Sequence, residues 1–296
     1  MNIPWVILPA LLLEAVLYFL PSWPSFDRKF QRVPRLLQAC LIWLGGLAPI
    51  ALLHASLGTV PDEMGLLIVS VGIVSMWFVL LPHRPLADVL LLVLLAAFVL
   101  LPWYQGFFPA VPGGPKLAGL AKLLWLRLGI AVFIYVRGWK VPGLGLWPKR
   151  EDWRVGIQQF LIFFALLLPI GIYFKILRFQ LPNIELWLLP FATVGFFCVV
   201  YLFLAYGEEF FFRGVLQPLL SRNLGGKWVG IVLSSLCFGA VHLPYRKFPN
   251  WRFALMATVA GIFYARAFEK ANSLRAAMIA HALVVTVWTI LFSRSL

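Results

Sequence analysis

Glu208, Glu209 and Arg213 stand within AYGEEFFFRGVLQP (205–218), inside an otherwise apolar run, and two histidines, His242 in FGAVHLP and His281 in MIAHALVV, stand singly in later apolar runs. Three ionisable side chains in one membrane helix cost about 8 to 10 kcal/mol if each meets lipid unpaired, at about 2.5 to 3.5 kcal/mol apiece on an insertion scale. Something must compensate them. Glu209 and Arg213 are four residues apart with the glutamate first, the favourable order for a helical ion pair. Glu208 is left over, about 100° around the helix, and an unpaired carboxylate facing a bundle interior marks a functional site by default.

Two carboxylates and two imidazoles have a narrow chemistry. A carboxylate and a neutral imidazole can share the proton of a water that attacks a carbonyl, and a second imidazole can donate a hydrogen bond to the oxyanion. This is peptide or amide hydrolysis without a covalent intermediate. Glu208, His242 and His281 also satisfy the ligand set of a zinc hydrolase, so the cofactor stays open between none and Zn.

The elements that position these groups follow from composition. The chain has 296 residues, 62% hydrophobic and 12% charged, with mean hydropathy +0.92; a soluble domain is nearer half apolar and a quarter charged. The apolar runs lack the two-residue alternation of barrel strands, so the fold class is all-α, a polytopic transmembrane helical bundle. Runs between charged or Pro/Gly punctuation predict about ten spans, near 4–20, 36–56, 64–82, 87–104, 118–136, 156–175, 187–220, 228–244, 253–268 and 275–292. The N-terminus has no cationic segment and no small-residue cleavage site, and reads as a first span.

A net charge of +14 fits cytoplasmic loops and anionic headgroups. No basic run is interleaved with exposed aromatics, so nucleic acid is excluded as a partner. Basic loops at 21–35 and 137–154 predict those segments on the cytoplasmic side, against Asp62 and Glu63 in 57–63; Arg246, Lys247 and Arg252 break the pattern. Cys40, Cys198 and Cys237 sit singly in apolar runs and predict small core residues, not a disulfide framework. Glu14, Lys122 and Arg127 are expected to snorkel to an interface, a pairing of Glu14 with either cation being the alternative. Ala257, Gly261 and Ala265 form a small-residue face for close helix packing.

Depth can be counted. If the seventh and eighth spans form a hairpin around Asn223–Gly226, Glu208 lies about sixteen residues before the turn and His242 about seventeen after it, at one level for a 1.5 Å rise. His281, about nine residues beyond Asn272, falls a turn or two nearer the cytoplasm. The Pro-, Gly- and Trp-rich stretch 137–155 reads as an interfacial linker. It separates an accessory bundle, 1–136, from a connecting span, 156–184, and a catalytic domain, 185–296.

EEFFFR (208–213), the FxxxH of FGAVH (238–242) and the last-helix histidine of AHALVV together resemble the motifs of the CAAX protease and bacteriocin-processing family, CPBP, over roughly 185–292. The resemblance implies that Glu208 and His242 activate water, that Glu209 and Arg213 support the site, and that His281 holds the oxyanion. It further implies a membrane-anchored or lipidated protein or peptide as substrate, a lipid bilayer as surroundings and an intramembrane endopeptidase of glutamic or metal-dependent type, expected in a bacterial plasma membrane. One departure stands out: the family places Asn four residues after the last histidine, and this chain has Val285 there. Thr286, Thr289 and Asn272 are the candidates to replace that amide. Two other classes remain: a non-catalytic binding or immunity protein, and a proton-coupled transporter, against which the lack of an inverted repeat in the charge pattern counts.

Overall fold

The structure is a computed structural model that describes residues 5–60, 63–101, 107–108, 117–173, 178–180, 182–245 and 248–293. Asp62, Arg246 and Lys247, which entered the topology argument, lie outside the described residues. The chain folds as two compact units, Met1–Lys140 and Val141–Leu296.

In the first unit α1 (Trp5–Ser22) is followed by a short helix α2 (Pro24–Phe30), then by α3 (Arg35–Leu57), α4 (Met64–Leu80), α5 (Pro85–Leu100) and α6 (Ala118–Ala131), which runs on as a π-helical turn through Val136. Glu14 does not snorkel. Its Oε1 takes a 2.7 Å bond from Arg127 Nε, and both side chains are buried, whereas Lys122 is exposed. The reason lies in α3. Pro49 has no N–H to give the carbonyl four residues earlier, that of Gly45, and Arg127 supplies the missing donor through Nη1 at 3.0 Å while its Nη2 donates to Gly46 O, also at 3.0 Å. A second buried carboxylate, Asp88, takes a forked pair from Arg137 at 2.7 and 3.1 Å. His54 is satisfied by Thr59 Oγ1 and the Phe107 carbonyl.

Gly46 lets α3, α4 and α6 meet: a Cβ there would lie 2.6 Å from Val71 Cγ1 and 3.0 Å from Leu128 Cδ2. Gly46→Ala is therefore expected to cost about 1–3 kcal/mol by overpacking, seen as a lower melting temperature in detergent. An unchanged melt would contradict this packing.

The second unit holds α7 (Arg150–Tyr173), α8 (Leu189–Asn223), α9 (Lys227–Ala240), α10 (Trp251–Ala271) and α11 (Leu274–Leu291). α7 begins at Arg150, inside the stretch read as linker. Glu151 and Asp152 favour a helix N-terminus, and Asp152 accepts from the Lys149 N–H and pairs with Arg275 Nε at 2.9 Å. One turn on, a Cβ at Gly156 would sit 2.7 Å from Ile279 Cγ2, so α7 and α11 lie side by side and run the same way. Their far ends join through a two-residue antiparallel pairing, Arg178 with Ser293 and Phe179 with Phe292. Gly230 meets Ser221 and the Gln217 carbonyl, and Gly239 meets Thr258 and the Ala254 carbonyl, which brings α8, α9 and α10 into close contact.

Among the described residues a helix lies in each of the ten predicted runs, but not every one is long and apolar enough by itself to cross a membrane. Six described helices are long and apolar enough to cross a membrane: α1, α3, α6 with its π turn, α7, α8 and α11. A hydrocarbon core of about 30 Å takes about 20 helical residues. α4, α5 and α9 have 17, 16 and 14, and α10, though 21 residues long, carries Arg252, Arg266, Glu269 and Lys270. The three cysteines are free; Cys198 and Cys237 sit on exposed helix faces and not in the core, contrary to expectation.

Candidate active site

α8 winds unevenly where its charges lie. A single α-helical turn, Tyr206–Glu209, is flanked by π-helical stretches at Val200–Ala205 and Phe210–Leu216. Such wide turns are rare and often accompany functional sites. They lie on either side of the two adjacent carboxylates, Glu208 half-buried and Glu209 wholly buried.

Arg213 pairs with Glu209, as the i,i+4 spacing predicts, with Nε 3.2 Å from Oε2 and Nη1 3.4 Å from Oε1. Neither atom of the closer contact makes an aligned hydrogen bond, so the attraction is mainly one of charge. The guanidinium is fixed by other groups. Nη2 donates to the Gly261 carbonyl at 3.0 Å, and its carbon lies 4.5 Å from the Phe238 ring centre, 5.4 Å from that of Tyr264 and 5.6 Å from that of Phe212. A Cβ at Gly261 would come within 3.0 Å of Nη2, so the small-residue face of α10 makes room for the arginine.

The tightest bond of Glu209 goes to α11: its Oε1 is 2.7 Å from His281 Nδ1. A carboxylate oxygen accepts, so Nδ1 carries a hydrogen and Nε2 points elsewhere. Nε2 lies 3.9 Å from Glu208 Oε2, beyond hydrogen-bond reach but within the span of one bridging water. That Oε2 is closed to solvent and accepts no hydrogen bond among the described residues. His281 thus stands between both glutamates at their own level. The expected offset of a turn or two toward the cytoplasm is absent.

His242 is not within α9 but in the turn after it, because Pro244 disfavours helical geometry at the residue before it and the chain closes through His242 N–H to Gly239 O at 3.0 Å. Its Nδ1 lies 2.7 Å from the Phe238 carbonyl. A carbonyl can only accept, so Nδ1–H donates, and the neutral ring keeps its lone pair on Nε2. Phe238 links the two histidines: its ring is 4.7 Å from that of His242 and 5.7 Å from that of His281.

A zinc site needs about three donor side chains closing on one ion at roughly 2.0–2.3 Å. Among the described residues no three His, Cys, Asp or Glu are so grouped, and the alternative ligand set Glu208, His242 and His281 is not assembled. Nor is a replacement for the amide missing at Val285 evident. Asn272 takes the left-handed conformation that ends α10. Thr286, buried with an unpartnered hydroxyl, is about 140° around the helix from His281 by helical periodicity.

Sequence reasoning missed Tyr264 and the role of Gly261. Tyr264 sits three residues beyond Gly261 on the same helix, but an aromatic in an apolar run carries no signal of what it touches.

Residues 189–287 match the family model described as Type II CAAX prenyl endopeptidase Rce1-like. About a third of the chain is thus similar to an Rce1-like domain. The matched segment takes in α8, α9, α10 and most of α11, and with them all five charged and imidazole side chains of the site. The assignment agrees with the CPBP and CAAX protease motifs read from the sequence. Searches of curated proteins and of solved structures find no match.

Proposed function

We propose that the chain is an intramembrane endopeptidase that hydrolyses a peptide bond in a membrane-anchored or lipidated protein, with water activated by Glu208 and His242 and the oxyanion held by His281. The observation that carries this reading is the placement of His281 between two buried carboxylate oxygens from another helix, one bound at 2.7 Å and the other free at 3.9 Å. A carboxylate left without a hydrogen bond inside a helical unit is costly, and a base awaiting a proton accounts for it.

In this mechanism the water oxygen attacks the carbonyl carbon while its proton passes to Glu208. His242, whose Nε2 lone pair is free, accepts a hydrogen bond from the same water or shares the proton. His281, held through Nδ1 by Glu209, turns Nε2 toward the reacting carbonyl and stabilises the developing oxyanion when that nitrogen is protonated. Arg213 offsets the charge of Glu209. When the C–N bond breaks, the proton on Glu208 goes to the departing amine. With Val285 on the following turn, no amide from α11 assists His281 at that position. No step uses a metal.

The test is processing of a lipidated, membrane-anchored reporter in cells carrying wild type or His242→Ala. The variant is expected to cleave at least about 100-fold more slowly at an equal level in the membrane. Wild-type-like cleavage would overturn the assignment. A sequestering protein would keep its phenotype in the variant, and a transporter would give flux that depends on a pH gradient. Stoichiometric bound metal with chelator-sensitive activity would replace the metal-free route.

A further inference from the structure

Tyr264, already one of the rings around Arg213, also makes the flattest contact in the site. Its ring lies parallel to the imidazole of His281, with centres 4.6 Å apart and planes 8° from each other. Both side chains are nearly inaccessible, Tyr264 at 2% and His281 at 3%. Phe238 closes on the same imidazole edge-on, at 89°.

We propose that Tyr264 is a positioning residue that sets the plane of the His281 ring and so aims Nε2 at Glu208; this rests on the reading of His281 given above. The Glu209 bond fixes one atom of the imidazole, and one anchor leaves the ring free to turn about it, since the terminal torsion of histidine is broad and roughly two-fold. A flat neighbour at van der Waals distance removes that freedom. With Nδ1 tied to Glu209 and the plane tied to Tyr264, the direction of Nε2 follows. Arg213 lies 5.4 Å from the Tyr264 ring centre and donates to the carbonyl of Gly261, three residues before it. The cation that offsets Glu209 thus also anchors the helix that carries the stacking ring.

The test uses the full chain with Tyr264→Phe, Tyr264→Leu and Tyr264→Met, each followed by kinetics and by nitrogen NMR of labelled histidines in detergent. Phe keeps the stack and should retain at least about a third of kcat. Leu and Met remove it and should lower kcat about threefold to tenfold, the scale of one aromatic pair, with KM unchanged; Met follows the volume of the site if Leu disturbs folding. The His281 ring signals should stay in place in the Phe variant and move in the other two. Equal kcat losses for Phe and Leu, or His281 signals unmoved in Leu and Met, would overturn the proposal. A Glu208→Gln control that cleaves like wild type would instead defeat the assignment of Glu208 as the base on which the reading of His281 rests, and the histidine spectra would judge the stack independently.

Discussion

Glu208→Gln is expected to reduce cleavage of the anchored reporter by about 10²- to 10⁴-fold, the range that a positioned general base supplies, without loss of folded protein. The substitution keeps the size and shape of the side chain and removes only its ability to take a proton. Stability should hold, or rise slightly, for a reason specific to this cluster. Glu208 and Glu209 are adjacent, but the single arginine beside them is committed to Glu209, and Glu208 Oε2 accepts no hydrogen bond. Neutralising it relieves the repulsion between two adjacent carboxylates and breaks no hydrogen bond. Cleavage rate and melting temperature on one preparation give the answer. A variant that cleaves as fast as wild type would remove Glu208 from the reaction, and one that fails to fold would show that its carboxylate is structural.

Arg213→Met has the second large effect, and it falls on stability. Methionine fills much of the same volume, so packing against Phe212, Phe238 and Tyr264 is largely kept, but Glu209 becomes a wholly buried carboxylate whose remaining partner is His281. Breaking a buried pair by removing one partner typically costs about 3–5 kcal/mol, because the other charge is left uncompensated. The Gly261 carbonyl also loses its side-chain donor. A fall of several degrees in the melting temperature is expected. The double variant Glu209→Gln with Arg213→Met should recover part of the loss, since it removes both charges together. A single variant that melts like wild type would mean that His281 alone compensates Glu209.

Much of the site was legible because charge is conspicuous in an apolar sequence. Glu208, Glu209 and Arg213 stand out in α8 by their insertion cost, and the Glu209–Arg213 pair follows from four-residue spacing, which brings side chains together within one helix whatever surrounds it. The relative level of Glu208 and His281 cannot be counted along the chain, because the count assumes that both turns lie in one plane and that every helix rises evenly, and α8 contains two π-helical stretches.

Where sequence reading failed, the deciding neighbour came from another helix. The place of Glu14 near a helix end predicts an interfacial side chain; Pro49 in α3 frees a carbonyl that draws in Arg127, and Arg127 takes Glu14 with it. The expectation of ten spans takes each apolar run as a crossing, whereas length and composition single out six of the described helices. Whether a run crosses depends on length, and α9, at 14 residues, reaches about 21 Å at 1.5 Å per residue.

The sequence by itself determined an all-helical membrane protein with acid, guanidinium and imidazole groups in three C-terminal apolar runs, because hydropathy and helical period act over neighbours along one chain. Only the tertiary structure decided that Glu209 holds His281, that Glu208 is left open to it, and that Tyr264 lies flat against its ring. Those pairings depend on the rotation and level of packed helices, which small residues such as Gly156, Gly239 and Gly261 fix through contacts far apart in the chain.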